Sequence, residues 1–228
     1  MNKFFLFAAI TALLASCSTK PKYELEVNIH NNNSLMNKKF IVSQMIEGKT
    51  VYADTTKIKK NQFVVSIPYD GPGLLNISIP SADINDFMMA AGDAKGKVQL
   101  NIEGTKPHIA GTPLNDRLQA FYQGNDSVSS LFDQLEKEKS AFESQPQPAQ
   151  PTPTMKTELQ QQSDEFTNRR TQLLKENTDR IIAFIKENVD NPVGEYYFLT
   201  NYITFTMERK LELNSFATPK LKKEIGLQ

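Results

Sequence analysis

The stretch YELEVNIH, residues 23–30, decides the fold of the region that follows it. Its apolar and polar side chains alternate, so Tyr23, Leu25, Val27 and Ile29 share one face of an extended chain. A period of two residues is typical of a β-strand that buries one face and leaves the other in solvent. The stretch therefore predicts a strand at the surface of a layered β-domain.

Similar short runs continue to about residue 109, with turn residues between them. Further strand candidates lie at residues 40–46, 50–55, 63–67, 74–79, 87–91 and 97–102. Seven short strands at this spacing, without a helical pattern between them, predict an antiparallel β-sandwich over residues 23–110.

The period of the pattern changes near Gly111. Thr112 and Pro113 resemble a helix N-cap followed by proline at the first helical position. The next apolar side chains recur at the spacing of one helix face: Leu114, Leu118, Phe121 and Tyr122. A second helical stretch is expected at about residues 127–143. The chain is therefore predicted to be α+β, with a helical region at residues 111–228.

Residues 144–154 read SQPQPAQPTPT, with four prolines in eleven residues, which predicts an exposed loop. A long helix is expected after it, at about residues 157–188. Asn191 and Pro192 then begin another helix, on which Phe198, Tyr202 and Phe205 share a face.

The front of the chain has the anatomy of a secretory signal peptide. An early lysine precedes an apolar run at residues 4–15, which is too short to span a bilayer as a helix. The residues that follow resemble the bacterial lipobox: Leu14, Ala15, Ser16 and Cys17. The resemblance implies a signal peptide at residues 1–16, cleavage before Cys17, lipid attached to its thiol, and a tether at residues 17–22. An ordinary signal peptide that happens to carry a cysteine is the alternative.

The residue after Cys17 bears on location. In the familiar Gram-negative sorting pattern an aspartate there retains a lipoprotein in the inner membrane, whereas this chain has Ser18. The pattern implies an outer-membrane lipoprotein anchored by lipid, with its domain on the periplasmic face. Exposure at the cell surface stays open.

Composition excludes several classes of function. The chain has 26 basic and 26 acidic residues, so no basic excess points to nucleic acid. Cys17 is the only cysteine among 228 residues. Once its sulfur carries lipid, disulfides, cysteine metal sites and cysteine nucleophiles are excluded together.

No constellation of residues predicts catalysis, a metal or a cofactor. The sequence has neither a Gly-x-Ser-x-Gly elbow nor a phosphate-binding glycine loop. The only histidines, His30 and His108, are expected to be surface or structural residues. Acidic and amide side chains around one strand could suit calcium, but their spacing favours solvated loops: Asp83, Asn85, Asp86 and Asp93.

Two further groups of side chains have both a structural and a functional interpretation. The aromatic run Tyr196, Tyr197, Phe198, Tyr202 and Phe205 could line a pocket but is expected to pack in the core. Tyr197 lies off the main stripe and is the better candidate for an exposed contact. The lysines near Ile58 could meet an acidic partner but are expected to protect a strand edge: Lys57, Lys59 and Lys60.

The order of these parts resembles one bacterial lipoprotein family, domain of unknown function 4369, common in gut Bacteroidota. The resemblance lies in the lipobox, the β-rich domain, IAGTPLND at residues 109–116 and ENVDNPVGEYYFL at residues 187–199. Many relatives carry a thioredoxin-like domain after this module. This sequence contains no Cys-x-x-Cys, so the resemblance implies location, architecture and a binding role but not reductase activity.

In the hosts of that family, short Asp-Ser/Thr motifs are O-glycosylated, which makes Ser127 a candidate site and the motif at residues 54–56 another. Asp126-Ser127-Val128 is expected to lie near a loop. The leading hypothesis is a non-enzymatic binding or accessory module for an unknown protein or small molecule. The alternatives are a partner of a separate periplasmic thioredoxin-like oxidoreductase and a structural protein of the envelope.

Overall fold

The sandwich domain is built from eight strands within the residues that the structure describes. That structure is a computed structural model, and it describes residues 22–47, 49–68, 71–80, 84–91, 97–104, 106–145 and 152–227. The strands are β1 (Lys22–His30), β2 (Lys39–Ile46), β3 (Lys49–Lys57), β4 (Gln62–Pro68), β5 (Gly73–Ile79), β6 (Ile84–Ala91), β7 (Val98–Glu103) and β8 (Lys106–Ala110). Several residues singled out in the sequence lie outside the described ranges, namely those of the predicted lipobox and two of the acidic residues expected in solvated loops: Leu14, Ala15, Ser16, Cys17, Asp83 and Asp93.

The strands form two four-stranded sheets, ordered β4-β1-β7-β8 and β3-β2-β5-β6. The inward side chains of β1, which are Leu25, Val27 and Ile29, are almost completely buried, as their alternation predicts. The α+β class, a sandwich followed by helices, is confirmed. One pairing departs from the antiparallel expectation: β1 and β7 run parallel, with Leu25 opposite Val98.

One end of the sandwich, called the Lys22 end below, gathers the start of β1 and the start of β5. Lys22 pairs with Pro68 at the end of β4. Only residues 69–72 separate Pro68 from Gly73, the first residue of β5. On the next strand Leu74 pairs with Met45, close to the end of β2.

Five helices follow: α1 (Pro113–Glu143), α2 (Pro153–Asn188), α3 (Pro192–Thr204), α4 (Met207–Phe216) and α5 (Pro219–Glu224). The boundary of α1 agrees with the predicted cap, since Thr112 Oγ1 accepts a hydrogen bond from the Asn115 amide. α1 continues without a break through residue 127, where the sequence suggested a new helix. α2 begins at Pro153, so the last two residues of the predicted proline-rich loop are helical. Among the described residues, none of these helices combines the length and the apolar character that crossing a bilayer requires.

α1 and α2 form a long antiparallel hairpin. The rings of Phe142 and Phe166 lie 5.8 Å apart, and Arg169 Nη1 lies 2.8 Å from Glu138 Oε2. Nearer the sandwich α1 covers β6 and β8, the last strands of the two sheets. Tyr122 donates a hydrogen bond to the Met88 carbonyl at 2.9 Å. The helix therefore shields one open side of the sandwich from pairing with other strands.

α3 returns the chain to the outer face of the second sheet. Leu75 and Ile77 face the space between the sheets, so Leu74 points to the opposite face of β5, the strand that α3 contacts. A second apolar cluster joins the last turns of α2 to α3, α4 and α5: Ile182, Ile185, Phe198, Leu213, Ala217 and Leu221. α3 is therefore packed on both sides.

Candidate functional site

A cleft of about 590 Å³ lies where the second sheet meets α3 and α5. Its apolar lining comes from both parts of the chain: Met45, Leu74, Tyr196, Leu199 and Leu221. Charged side chains of both signs lie around it: Glu47, Lys49, Glu195, Lys220, Lys223 and Glu224. This volume falls within the roughly 300–1,000 Å³ typical of small-molecule sites, which combine an apolar lining with a few polar groups.

Lys220 ties three elements together at this cleft. Its Nζ lies 2.8 and 3.0 Å from the two carboxylate oxygens of Glu195 on α3, and 3.4 Å from Glu47 Oε1 in the β2–β3 turn. The hydrogen bonds to Glu195 are the main cause that raises the pKa of Lys220, with a smaller contribution from Glu47. Because the ammonium is partly exposed, each pair contributes at most about 1 kcal/mol to stability. The two pairs link α5 to α3 and to the β2–β3 turn.

The start of α3 is fixed by its cap and by a close approach to α2. Asn191 Oδ1 accepts hydrogen bonds from the amides of Val193 at 3.0 Å and Gly194 at 3.2 Å. A Cβ added at Gly194 would come within 2.7 Å of the Val189 nitrogen and closer still to the Asn188 carbonyl oxygen. Only a residue without a side chain fits there, and this contact sets the position from which α3 presents its cleft residues.

The strands that line one side of the cleft belong to a segment that matches a known protein family. Residues 23–118 match the family described as domain of unknown function (DUF4369). The family predicted from the sequence is confirmed over these residues, which make up less than half of the chain. A comparison with curated proteins finds no match. Met45 and Leu74 belong to the DUF4369 segment, whereas α3 and α5 lie beyond it.

The aromatic run of α3 divides between two packing surfaces. Phe198 is fully buried and stacks on Tyr202 with ring centroids 5.6 Å apart, so these residues pack in the core, as predicted. Tyr197, named from the sequence as the better candidate for an exposed contact, instead packs among other rings. Its ring lies edge-on to Phe121 at 5.0 Å and to Phe184 at 5.5 Å, and burial raises the pKa of its hydroxyl.

Tyr196, not Tyr197, lines the cleft. A single apolar stripe on a helix cannot distinguish the two, because α3 contacts the DUF4369 segment on one side and the small helical cluster on the other. The aromatic run in the sequence includes Tyr196 as a possible pocket residue, but the spacing of the run does not single it out.

The two histidines both lie in the first sheet, but they are out of register with each other. His30 is exposed opposite Glu103, whereas His108 is opposite Asn101 and has its Nδ1 3.2 Å from Gln119 Nε2. Within the described ranges, no group of three or more His, Cys, Asp or Glu side chains could hold a metal ion. For Asn85 and Asp86 the structure describes the backbone alone.

The remaining predicted residues lie on the sandwich edge and on α1. Lys57 ends β3, an edge strand of its sheet, and Lys59 and Lys60 follow in the connection to β4, where edge protection was expected. Ser127 lies in the middle of α1 and its Oγ donates to the Gln123 carbonyl at 3.0 Å. The expectation that this motif lies near a loop is wrong, because the helix does not break there. Glycosylation of Ser127 stays a prediction.

Proposed function

We propose that the protein is a lipid-anchored outer-membrane lipoprotein, facing the periplasm, that acts as a non-enzymatic binding module. The cleft between the DUF4369 segment and α3 and α5 is its ligand site. The observation that carries this proposal is the cleft itself, which joins an apolar lining to charges of both signs. The anchor rests on the lipobox at Leu14 to Cys17.

The chemistry of the cleft favours binding over reaction. The titratable groups around it are Lys and Glu side chains, and Lys220 already pairs with Glu195 and Glu47. Such groups orient a ligand and neutralise its charges, while the apolar lining supplies the burial that gives affinity.

Native mass spectrometry of the full chain, purified from its own membrane, tests the site. A tryptophan at Leu199 would fill the cleft, whereas a tryptophan at Ile203, which is 79% exposed on the same helix, is the matched control. We expect a small molecule to copurify with the wild type and with Ile203→Trp, and to be lost from Leu199→Trp. Equal occupancy in both variants would place ligand binding elsewhere.

The anchor has a separate test. We expect Cys17→Ala to abolish normal cleavage and to release the protein from the membrane fraction. A Cys17→Ala protein that is still cleaved normally and still sediments with membranes would contradict the lipid anchor, whatever the cleft binds.

An exposed apolar surface favours a second candidate function, that of a partner protein. Met207 and Leu211 are 72% and 63% exposed and lie four residues apart, on one face of α4. A contact with a separate periplasmic thioredoxin-like oxidoreductase would cover them, standing in for the fused arrangement of the relatives. Photocrosslinking in cells from position 207 tests this candidate, and recovery of no oxidoreductase would rule it out.

A further inference from the structure

We infer that the cleft binds one acyl chain of a zwitterionic phospholipid taken from the membrane that anchors the protein. This inference rests on the proposed lipid anchor and names the class of ligand. Three independent features carry it: the end of the sandwich at which the cleft lies, the length of chain between Cys17 and β1, and the distribution of charge around an apolar lining.

The cleft lies at the Lys22 end of the sandwich. Two residues of its lining, Met45 and Leu74, pair with each other where β2 ends and β5 begins. The start of β5 follows the end of β4 by residues 69–72, and the end of β4 pairs with Lys22. The chain thus enters the folded domain at the same end at which the cleft is found.

The distance between the anchor and this end is short. Four residues, 18–21, separate Cys17 from Lys22. At about 3.3–3.6 Å per residue, five steps along the chain reach at most about 18 Å. A lipid on Cys17 would therefore hold Lys22 within about 18 Å of the bilayer surface, and the cleft lies at this same end of the sandwich.

The hairpin of α1 and α2 points the other way. β8 ends at the Lys22 end, since Ala110 pairs with Gln99 near the start of β7. α1 starts there and runs back along β8, so that Ser130 shares a surface depression with Lys106, the first residue of β8. Residues 131–143 continue beyond the sandwich for about 20 Å at 1.5 Å per residue. The hairpin thus extends from the end of the sandwich that is opposite to the cleft and to Lys22.

The lining suits an acyl chain and the surrounding charges suit a zwitterion. Met45, Tyr196 and Leu199 line the cleft and are each partly exposed, so an acyl chain in the cleft would cover apolar surface that is now open to solvent. Each methylene buried against such a surface contributes about 0.8 kcal/mol. Lys49 and Lys223 line the cleft and would attract a phosphate, while Glu224, which is not paired with Lys220, would attract an ammonium. A ligand with a single charge would meet repulsion from one of these two sets.

A photoreactive amino acid in place of Thr200 tests the inference in the full-length lipoprotein, expressed in its native membrane. Thr200 is exposed and lines the cleft, and the matched control is the same amino acid at Ile203. We expect a phospholipid adduct at position 200, at least ten-fold more abundant than at position 203, identified by the mass of the crosslinked peptide. Adding Leu199→Trp should lower the yield at position 200 by a similar factor.

Three other results of this crosslinking experiment would contradict the inference. A soluble small molecule or peptide at position 200 would refute the lipid inference and leave the binding function intact. An adduct with the acyl chains of Cys17 itself, visible as a crosslink within one chain, would also refute it. Equal yields at positions 200 and 203, unaffected by Leu199→Trp, would refute both the inference and the proposed site.

The headgroup has its own measurement. The full chain is reconstituted in vesicles of equal parts phosphatidylethanolamine and phosphatidylglycerol, and the adducts at position 200 are counted by headgroup. We expect the zwitterionic lipid to be favoured several-fold, and the double variant Lys49→Glu, Lys223→Glu to lower total yield. A preference for the anionic lipid, or an unchanged yield in the double variant, would refute the assignment of the charged groups. Since both lysines are exposed, this variant tests binding without disturbing the core.

Discussion

Replacement of Gly194 by alanine tests how α3, one wall of the cleft, is held. The new Cβ would lie 2.7 Å from the Val189 nitrogen and closer to the Asn188 carbonyl oxygen, below the 3.0 Å that Cβ atoms essentially never cross. Both atoms belong to the backbone, so no side chain can rotate away. To relieve the overlap α3 must move from the end of α2 by about 1 Å.

Two opposing effects set the size of the change. Alanine is favoured over glycine inside a helix by up to about 1 kcal/mol. Overpacking costs typically about 1–3 kcal/mol, and a backbone clash belongs at the upper end of that range. We therefore expect Gly194→Ala to lose about 2 kcal/mol of unfolding free energy, which for a chain of this size lowers Tm by about 4–8 °C.

Urea and thermal unfolding followed by circular dichroism measure this loss. The matched control is Gly124→Ala in α1, where the new Cβ would meet the end of the Arg180 side chain at 2.9 Å. That side chain can move, so we expect Gly124→Ala to stay within about 1 kcal/mol of the wild type. A Gly194→Ala protein as stable as Gly124→Ala would refute the close approach of α2 and α3.

Three further predictions concern the helices. Phe121 stacks on Phe184 with centroids 4.0 Å apart, so Phe121→Ala should lose about 3–5 kcal/mol in urea unfolding. Burial raises the pKa of the Tyr122 hydroxyl, because the folded protein disfavours its ionised form. The contribution of the neutral hydroxyl to the free energy of unfolding is therefore present below about pH 10 and is lost as the pH rises further. We expect Tyr122→Phe to lose less stability than the wild type at alkaline pH. A hydrogen bond from Arg169 lowers the pKa of the Glu138 carboxyl. The contribution of this carboxylate to the free energy of unfolding is therefore present above about pH 4 and is lost as the pH falls further. This acid-dependent loss should be absent from Glu138→Gln.

Different results would contradict each of these. A Phe121→Ala protein within 1 kcal/mol of wild type would show that the stack does not hold α1 to α2. Identical alkaline curves for wild type and Tyr122→Phe, or identical acid curves for wild type and Glu138→Gln, would show that those groups do not couple to folding.

The strands could be predicted because each carries its own signal. Alternation in residues 23–30 reflects one buried and one exposed face, and the same local rule found most of the other strands. The parallel pairing of β1 with β7 carries no such signal. Strand direction depends on how the chain returns across the sheet, and the two neighbours of β1 approach it from opposite ends.

The helical region shows where local patterns become ambiguous. The sequence suggested a break near residue 127, yet α1 is continuous, since Gly124 lies against Arg180 of α2 rather than at a helix end. Arg180 donates a hydrogen bond to the Phe121 carbonyl at 3.2 Å, which ties α2 to α1 at this point. Contacts across the hairpin override the local preference of glycine.

The sequence by itself determined the layered strands, the caps of α1 and α3 and the family of residues 23–118, and it predicts an anchor at Cys17. These depend on neighbouring residues and fixed spacing. Only the tertiary structure decided that Tyr197 is packed among other rings while Tyr196 lines a cleft. That cleft is formed by residues from β2, β5, α3 and α5, which are far apart in the chain. The shape of the cleft depends on where α3 contacts the sheet, and no local sequence pattern encodes that contact.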